Sequence, residues 1–363
     1  MKLNLKTFQL VLIFFGCFFW GTNCKSQTQS IFKKINQSNG LSNGRVSSIV
    51  KEKNGFVWIG TSNGLNRYDG SKIKIYNKQT NNLSSNDISD LLIDSKGRIW
   101  IATMGGGLNL YLHLEDKFET YTNKSQKFNS ILSNELNTVF EDSRSNLWVG
   151  TKNGLLLFDE QTKTFKSYIY QSENSQSISN NDVRSIYEGQ NGNLWIGTFG
   201  GGINKFTPET EIFEHVNGSN GFSSNFVYTI ENLNKDKILI GTSGEGLLTL
   251  DLKSLEFSKS KIGNLENISI VRSIKKDSNG TIWVGTDGDG IFKMENANSK
   301  NPIVNNFKYN SQLESSISSN AIYDFMEDEN SNIWIGTAWN GVNVLNINKE
   351  FEVLLSNDLD KIK

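Results

Sequence analysis

The sequence contains very little cysteine, proline or histidine. Of its 363 residues two are cysteines, two are prolines and two are histidines, and both cysteines, Cys17 and Cys24, lie near the N-terminus. A chain from which that segment has been cleaved has no thiol, which excludes disulfides, cysteine nucleophiles and cysteine-ligated metals. A serine nucleophile would in turn lack a base beside it.

Long hydrophobic runs and a strong net charge are also missing after residue 26. A membrane-spanning helix takes roughly 20 apolar residues, and no such run follows that point. The first 26 residues carry three lysines and no acid, so their removal leaves 34 basic and 38 acidic side chains and a formal charge of −4. This balance argues against a nucleic-acid partner.

Residues 1–26 are predicted to be a secretory signal peptide. A basic end with Lys2 and Lys6 precedes an apolar core of thirteen residues, Phe8 to Trp20. We predict cleavage before Gln27, which gives an exported, periplasmic chain with no membrane span. The alternative is a lipoprotein signal with Cys17 or Cys24 as the lipidated residue.

What the sequence does contain is a short motif repeated seven times. Its best example is Asn193-Leu194-Trp195-Ile196-Gly197-Thr198, and successive copies are 42 to 51 residues apart. Six copies carry tryptophan and one carries leucine at the same place, namely Trp58, Trp100, Trp148, Trp195, Leu239, Trp283 and Trp334. A period of this length indicates a repeat architecture.

Each repeat is predicted to fold as four antiparallel strands. The tryptophan strand is apolar at both parities, so we expect both of its faces to be buried. A first strand begins at an apolar residue twelve positions earlier, at Val46, Ile88, Leu136, Val183, Val227, Val271 and Ile322. A glycine then precedes a third strand, and a fourth strand carries an aromatic residue, as at Tyr76 and Phe213. The fold class is therefore all-β, a seven-bladed β-propeller of four-stranded blades.

Three positions of the repeat have predicted structural roles. The threonine of the motif is expected to satisfy a buried backbone group. The glycine after the tryptophan, replaced only by Ala102, is expected to make room for a large neighbouring ring. The glycine before the third strand is expected to have a positive φ.

The predicted domain runs from 27 to 350, with blades at about 41–78, 84–122, 132–169, 178–216, 222–259, 267–309 and 317–355. An extra strand at 31–35 is predicted to close the ring by pairing beside 342–347 in the seventh blade. Residues 351–363 then become surplus, and Leu355 to Leu359 resembles Leu83 to Ile88. We interpret them as the start of a further, truncated propeller.

The pattern Asp-x-x-Gly-x-Leu-Trp-Ile-Gly-Thr followed by Gly-Gly-Leu or Gly-Gly-Ile resembles the two-component regulator propeller repeat. Asp277 to Thr286 and Asn191 to Ile203 are the nearest copies. The resemblance implies an extracytoplasmic sensor of a hybrid histidine kinase, typical of Bacteroidetes, that detects polysaccharide breakdown products. No kinase element is visible in the chain, so only the input role is expected of it. The companion could be a separate sensor kinase, and a homodimer is a second expectation.

The candidate ligand site is placed on the propeller face where loops join outer strands to the next first strand and second strands to third strands. Aromatic and arginine side chains beside acids suit an oligosaccharide through stacking and bidentate hydrogen bonds. The chosen residues are Arg45, Arg184, Phe199, Tyr228, Arg272, Tyr323 and Trp339. Docking of a protein partner, in a stand-alone secreted scaffold, is the alternative interpretation.

No cofactor, metal or catalytic residue is expected. His113 and His215 are predicted on outer parts of their blades, without the partner and pocket that a general base needs. A propeller lyase is the enzyme alternative. Asp287-Gly288-Asp289-Gly290 resembles a calcium loop but lacks its closing acid, and a turn is the plainer interpretation.

Overall fold

The computed structural model describes residues 32–123, 131–216, 225–259, 265, 267–299 and 301–346. The described strands form seven four-stranded antiparallel sheets. The first strands of successive sheets contact one another in a closed cycle, in which the last sheet meets the first. The prediction of a seven-bladed β-propeller is confirmed.

The strands are numbered in chain order. The first strands of the blades are β2 Val46–Lys51, β6 Ile88–Ile93, β10 Leu136–Glu141, β14 Val183–Glu188, β18 Val227–Asn234, β22 Val271–Lys276 and β26 Ile322–Glu327. The second strands are β3 Val57–Thr61, β7 Ile99–Thr103, β11 Leu147–Thr151, β15 Leu194–Thr198, β19 Lys237–Thr242, β23 Ile282–Thr286 and β27 Asn332–Thr337. The third strands are β4 Gly64–Tyr68, β8 Gly107–Leu112, β12 Gly154–Asp159, β16 Gly202–Thr207, β20 Leu247–Asp251, β24 Ile291–Glu295 and β28 Val342–Asn346. The outer strands are β5 Ile73–Tyr76, β9 Lys117–Tyr121, β13 Thr164–Tyr168, β17 Ile212–Val216, β21 Phe257–Lys259, β25 Ile303–Phe307 and β1 Phe32–Ile35. A 3₁₀ turn at Gln37–Asn39 and a short helix, α1 Lys78–Asn81, lie between strands.

The N-terminal strand β1 is the outer strand of the seventh blade. It pairs antiparallel with β28, from Phe32 opposite Leu345 to Ile35 opposite Val342. The last blade is thus made of both ends of the described chain, which leaves no open seam. Residues 1–31 and 347–363 lie outside the described residues, so the signal peptide and the surplus segment 351–363 stay predictions.

The second strands form the buried layer that the motif predicts. Every residue of the five-residue motif in each of them is buried. The threonine hydroxyl donates to the carbonyl of the glycine that opens or directly precedes the third strand in all seven blades, for example from Thr61 to Gly64 at 2.8 Å and from Thr337 to Gly341 at 2.8 Å. These glycines have positive φ, 78° at Gly341, as expected.

The small residue after the tryptophan makes room for a different group than the expected ring. A Cβ added at Gly60 would lie 2.7 Å from Ile88 Cγ2, and one at Gly336 would lie 2.9 Å from Val46 Cγ1. The neighbour is the first residue of the next blade's first strand, which is β-branched in six blades. Blade three carries Leu136 there, and the facing residue of blade two, in the same core cluster, is Ala102. The expectation of a ring was therefore wrong, because a branched aliphatic side chain from the neighbouring blade fills this place.

The tryptophans fill the interfaces between blades. Each of the six belongs to a core cluster shared with the next blade, as Trp58 does with blade two and Trp334 with blade one. In five blades the indole Nε1 donates to an acid six residues earlier. The pairs are Trp58 with Glu52, Trp100 with Asp94, Trp148 with Asp142, Trp283 with Asp277 and Trp334 with Asp328, the last four at 2.8–3.0 Å. The blade turns therefore hold the indoles in place, a role that the sequence analysis did not assign to these acids.

Candidate ligand-binding site

One end of the propeller axis opens into a cavity of about 290 Å³, here called the axial cavity. In every first strand the ladder shifts register between the first and the third residue, as between Val46 and Ser48. Such a bulge re-aims the side chain of the extra residue. The seven extra residues all line the cavity, and they are Ser47, Ser89, Asn137, Arg184, Tyr228, Arg272 and Tyr323.

The lining of the axial cavity is uneven around the ring. Blades one to three contribute small polar bulge residues, whereas blades four to seven contribute arginine and tyrosine. Arg45, Ser62, Asp87, Ile88 and Met104 complete the wall beside the small residues. The cavity therefore has a side of small polar bulge residues, formed by blades one to three, and an arginine and tyrosine wall opposite.

Two of the three cavity arginines are held by neighbouring acids. Arg272 donates from Nε and Nη2 to Asp287 Oδ2 at 3.1 and 2.8 Å, and its Cζ lies 4.2 Å from the centre of the Tyr228 ring. Arg184 Nη2 donates to Asp182 Oδ2 at 2.8 Å. These ion pairs fix the orientation of both guanidinium groups and neutralise much of their charge.

The third arginine is not tied in this way. The Arg45 guanidinium makes no hydrogen bond or ion pair with any residue in the described part of the chain, and its Cζ lies 5.6 Å from the Tyr323 ring centre. Across the cavity wall, burial raises the pKa of Asp87, and the field of Arg45 partly opposes that shift. Arg45 thus offers unused donors beside a carboxyl group.

Two buried polar atoms on the side of the cavity formed by blades one to three have no hydrogen-bond partner among the described residues. These are Ser89 Oγ and Asn137 Oδ1, whereas Asn137 Nδ2 donates to Asp182 Oδ1 and Val183 O, both at 2.8 Å. A buried polar atom without a partner costs about 1–3 kcal/mol. A ligand that hydrogen-bonds to both atoms would recover that free energy.

The candidate residues predicted from sequence are placed in two groups. Arg45, Arg184, Tyr228, Arg272 and Tyr323 line the axial cavity together. Phe199 lies at the rim, 5.5 Å from the Tyr228 ring and 4.6 Å from the Phe226 ring. Trp339 does not line the cavity, and its side chain is 72% exposed on blade seven.

The sequence analysis missed Ser47, Asp87, Ser89 and Asn137. Three of them occupy the position directly after the apolar residue that opens a first strand, where Arg184, Tyr228, Arg272 and Tyr323 also stand. That position is the available signal, because it is the same in all seven repeats. Small polar side chains gave no reason to single out its members in blades one to three.

The remaining candidates for chemistry lie elsewhere. His113 lies in the turn after β8 and packs against the Tyr111 ring. His215 lies on the outer strand β17, and its Nε2 is 2.7 Å from the carbonyl oxygen of Ser177. In the turn that resembles a calcium loop, Asp287 pairs with Arg272 and Asp289 with Lys308. Among the described residues no group of three or more histidine, cysteine or acidic side chains could hold a metal ion.

Five segments of the chain match the model of the two component regulator propeller family, at residues 40–63, 82–105, 177–200, 264–288 and 316–339. They cover the first two strands of blades one, two, four, six and seven. Five of the seven repeats thus match the repeat model of this family, as the motif predicts.

Two known proteins of two-component systems are also similar to parts of this chain. Histidine kinase P4 of Formosa agariphila is 35% identical to this chain over 74 residues. The matched stretch is 20% of this chain and 5% of the kinase. A solved structure, the extracellular domain of BT3049 from B. thetaiotaomicron, is 26% identical, with a TM-score of 0.76 over 87% of this chain and 42% of that one. BT3049 is assigned to the hybrid two component systems. The chain thus spans less than half of the BT3049 domain and a twentieth of the kinase.

A second solved structure shares the fold. Virginiamycin B lyase from Staphylococcus aureus superposes with a TM-score of 0.65 at 16% identity, over 87% of this chain and 99% of the lyase. A variant of that lyase with one histidine changed to alanine is described as catalytically inactive. Within the described residues of the present chain, no helix has the length and apolar character needed to cross a membrane.

Proposed function

We propose that this propeller is the extracytoplasmic sensor part of a two-component signal transduction system, and that it binds a glycan or a glycan breakdown product in the axial cavity. The observation that carries the proposal is the cavity itself, lined by one bulge residue from each blade of a propeller built from regulator repeats. In this proposal the chain is periplasmic and supplies the input, while a kinase on a companion polypeptide or a longer parent supplies the output.

The lining of the axial cavity supports a saccharide. A sugar presents hydroxyl groups that donate and accept hydrogen bonds, together with an apolar ring face that stacks on aromatic side chains. Arg45 supplies donors, Asn137 Oδ1 is an acceptor without a partner among the described residues, and Ser89 Oγ can donate or accept. Tyr228 and Tyr323 supply the ring faces. Because Arg184 and Arg272 are paired with acids, the cavity favours a polar ligand over a highly charged one.

We propose binding without catalysis. A propeller lyase of this fold that depends on a histidine would need one near its substrate, and His113 and His215 lie away from the axial cavity. The exposed Trp339 and the partly exposed Phe226 favour a second role for the same face, in which a protein partner docks around the cavity mouth.

The test is a titration of saccharides into the chain, with the heat of binding measured by calorimetry. We would use xylobiose, laminaribiose, maltose and digalacturonate as probes, and we expect one class to bind. Arg45→Gln and Tyr228→Ala should each weaken that binding about tenfold or more, because each removes donors or a stacking face from the cavity.

The matched control is Arg144→Gln. Arg144 is exposed on a blade turn and paired with Glu209, far from the axis, so this variant should bind like the parent chain. Binding that survives both cavity variants would contradict the proposed site. Absence of binding by every saccharide, in a chain shown to be folded by circular dichroism, would contradict the proposed ligand class.

A further inference from the structure

A second cavity, of about 310 Å³, lies between blades five and six and is here called the interblade cavity. Its floor is apolar and includes Leu233, Leu239 and Met294. Leu239 stands where the other blades carry tryptophan, and Leu233 stands where five of them carry the acid that binds the indole. The cavity is therefore located at the one interface from which both halves of the repeated indole–acid pair are missing.

The whole cross-strand row around Leu239 is short. Leu239 is opposite Thr249, which is opposite Ser258 on the outer strand, and all three line the interblade cavity. The same row in the other blades is built from larger side chains, namely Trp58–Arg67–Lys74, Trp100–Leu110–Glu119, Trp148–Leu157–Lys166, Trp195–Lys205–Glu214, Trp283–Lys293–Asn305 and Trp334–Val344–Lys33. A single Trp-to-Leu change would leave the other two positions unaffected, whereas here all three have become small together.

Blade six contributes no aromatic side chain to the place of the missing indole. At four interfaces an aromatic residue of the next blade's third strand faces the indole, as Phe158 does at 5.4 Å from Trp100 and Phe206 at 5.6 Å from Trp148. The residue at that place in blade six is Met294. Neither ring of the usual pair is present between blades five and six, so the interblade cavity lies where the other interfaces pack an indole.

We propose that the interblade cavity binds a small aromatic carboxylate. The aromatic ring would take the place of the missing indole, above Leu233 and Leu239. The ligand ring needs no N–H group, because Leu233 stands where five other blades carry the acid that accepts the indole hydrogen bond. At the mouth of the cavity Lys237 and Lys259 are exposed. The Lys237 ammonium makes no ion pair with a described residue, whereas Lys259 Nζ lies 3.7 Å from Glu245 Oε2. These two cations would meet the carboxylate, beside the hydroxyl groups of Thr249 and Ser258.

The probe for this site is 2-naphthoate, titrated into the full chain and followed by calorimetry and ligand-observed NMR. We expect saturable binding to one site. Leu239→Trp, which restores the repeat, should lower the affinity about tenfold or more by filling the cavity. The neutral analogue 2-naphthamide should bind about two- to fivefold more weakly than 2-naphthoate, since surface charges contribute modestly.

A second variant keeps the test decisive if Leu239→Trp does not fold. Thr249→Leu with Ser258→Lys copies the row of blade three and should also close the cavity. The matched control is the reverse exchange in blade three, Leu157→Thr with Lys166→Ser. It leaves Trp148 in place and should retain the parent affinity. Failure of 2-naphthoate to bind, or binding unaffected by a folded filling variant, would overturn the site, and equal binding of the amide would overturn the role of the lysines.

Discussion

The interface between blades two and three and the interface between blades five and six share a backbone arrangement but are packed differently. Between blades two and three, the fully buried Trp100 indole lies against Phe158 and donates to Asp94 Oδ2 at 2.9 Å. Between blades five and six, Leu239 and Met294 line a cavity at the corresponding place.

The polar contacts of the two interfaces differ in the same direction. Beside the axis, Asp90 of blade two accepts hydrogen bonds from the Val139 amide and the Thr138 hydroxyl of blade three, at 3.0 and 2.9 Å. Blade five has Thr229 at the position of Asp90. The comparison indicates that the ring tolerates one loosely packed interface because six others hold it closed. A loosely packed interface is thus a place where a propeller can acquire a site without losing its fold.

The largest expected difference concerns the indole. Trp100→Ala should lower the free energy of unfolding by about 3–5 kcal/mol, because it empties a filled interface. Leu239→Ala should cost about 2 kcal/mol, at the low end for such a change, because part of its surroundings is already empty. Urea denaturation monitored by circular dichroism would measure both. Equal losses would mean that the interblade cavity is not a packing deficit.

The next difference concerns pH. Burial raises the pKa of Asp90 above its ordinary value of 3.8, with the hydrogen bonds from its neighbours opposing the shift. Above about pH 4 the unfolded chain therefore releases a proton that the folded chain still holds, so stability falls as pH rises toward the folded pKa. Asp90→Asn should remove this part of the pH dependence.

Between blades five and six the acid with a raised pKa is Glu231. Burial raises this pKa, and the hydrogen bond from the Asn232 amide and the charges of Lys275 and Lys276 oppose the shift. Because these cations compensate the charge, Glu231→Gln should change the pH dependence less than Asp90→Asn does. Unfolding free energies measured from pH 4 to pH 8 would test the order of the two variants. A larger effect from Glu231→Gln would reverse the comparison.

The sequence predicts the start of all seven first strands to the residue. The first strands begin where the apolar position twelve residues before the tryptophan places them, as at Val46 and Val271. The threonine and glycine roles follow from their repetition in seven equivalent turns. Repeats make such predictions safe, because each position is observed seven times in one chain.

The site was harder to predict because it depends on departures from regularity. The bulge that turns Ser89 and Asn137 toward the axis leaves no mark in the apolar pattern, since a polar residue there is compatible with a regular strand. The interblade cavity requires the pairing of Leu239 with Thr249 and Ser258, which lie on three strands and become neighbours only in the folded register. The paired loss of the indole and its acid in blade five was visible in the sequence, but its meaning depends on the contact between them.

The smallest expected effect concerns the blade turns on the side opposite the axial cavity. Ser95 of blade two donates through its amide and its hydroxyl to the two oxygens of Glu141 in blade three, at 2.6 and 2.7 Å. Blade five has Asn234 at the position of Ser95, and blade six has Lys276 at the position of Glu141, so this contact has no counterpart between them. Ser95→Ala should cost about 0.5–1 kcal/mol, because it removes one exposed hydrogen bond to a charged group and keeps the amide bond.

The same exchange of residues can be made in the opposite direction. Asn234→Ser with Lys276→Glu should install the contact between blades five and six. Its net gain should be smaller than the loss in Ser95→Ala, because Lys276 Nζ now donates to Leu233 O at 2.9 Å and that bond would be lost. Thermal unfolding of both variants would compare the two turns. A gain that matched or exceeded the loss would show that the interface between blades five and six is limited by its turn contacts more than by its missing aromatic rings.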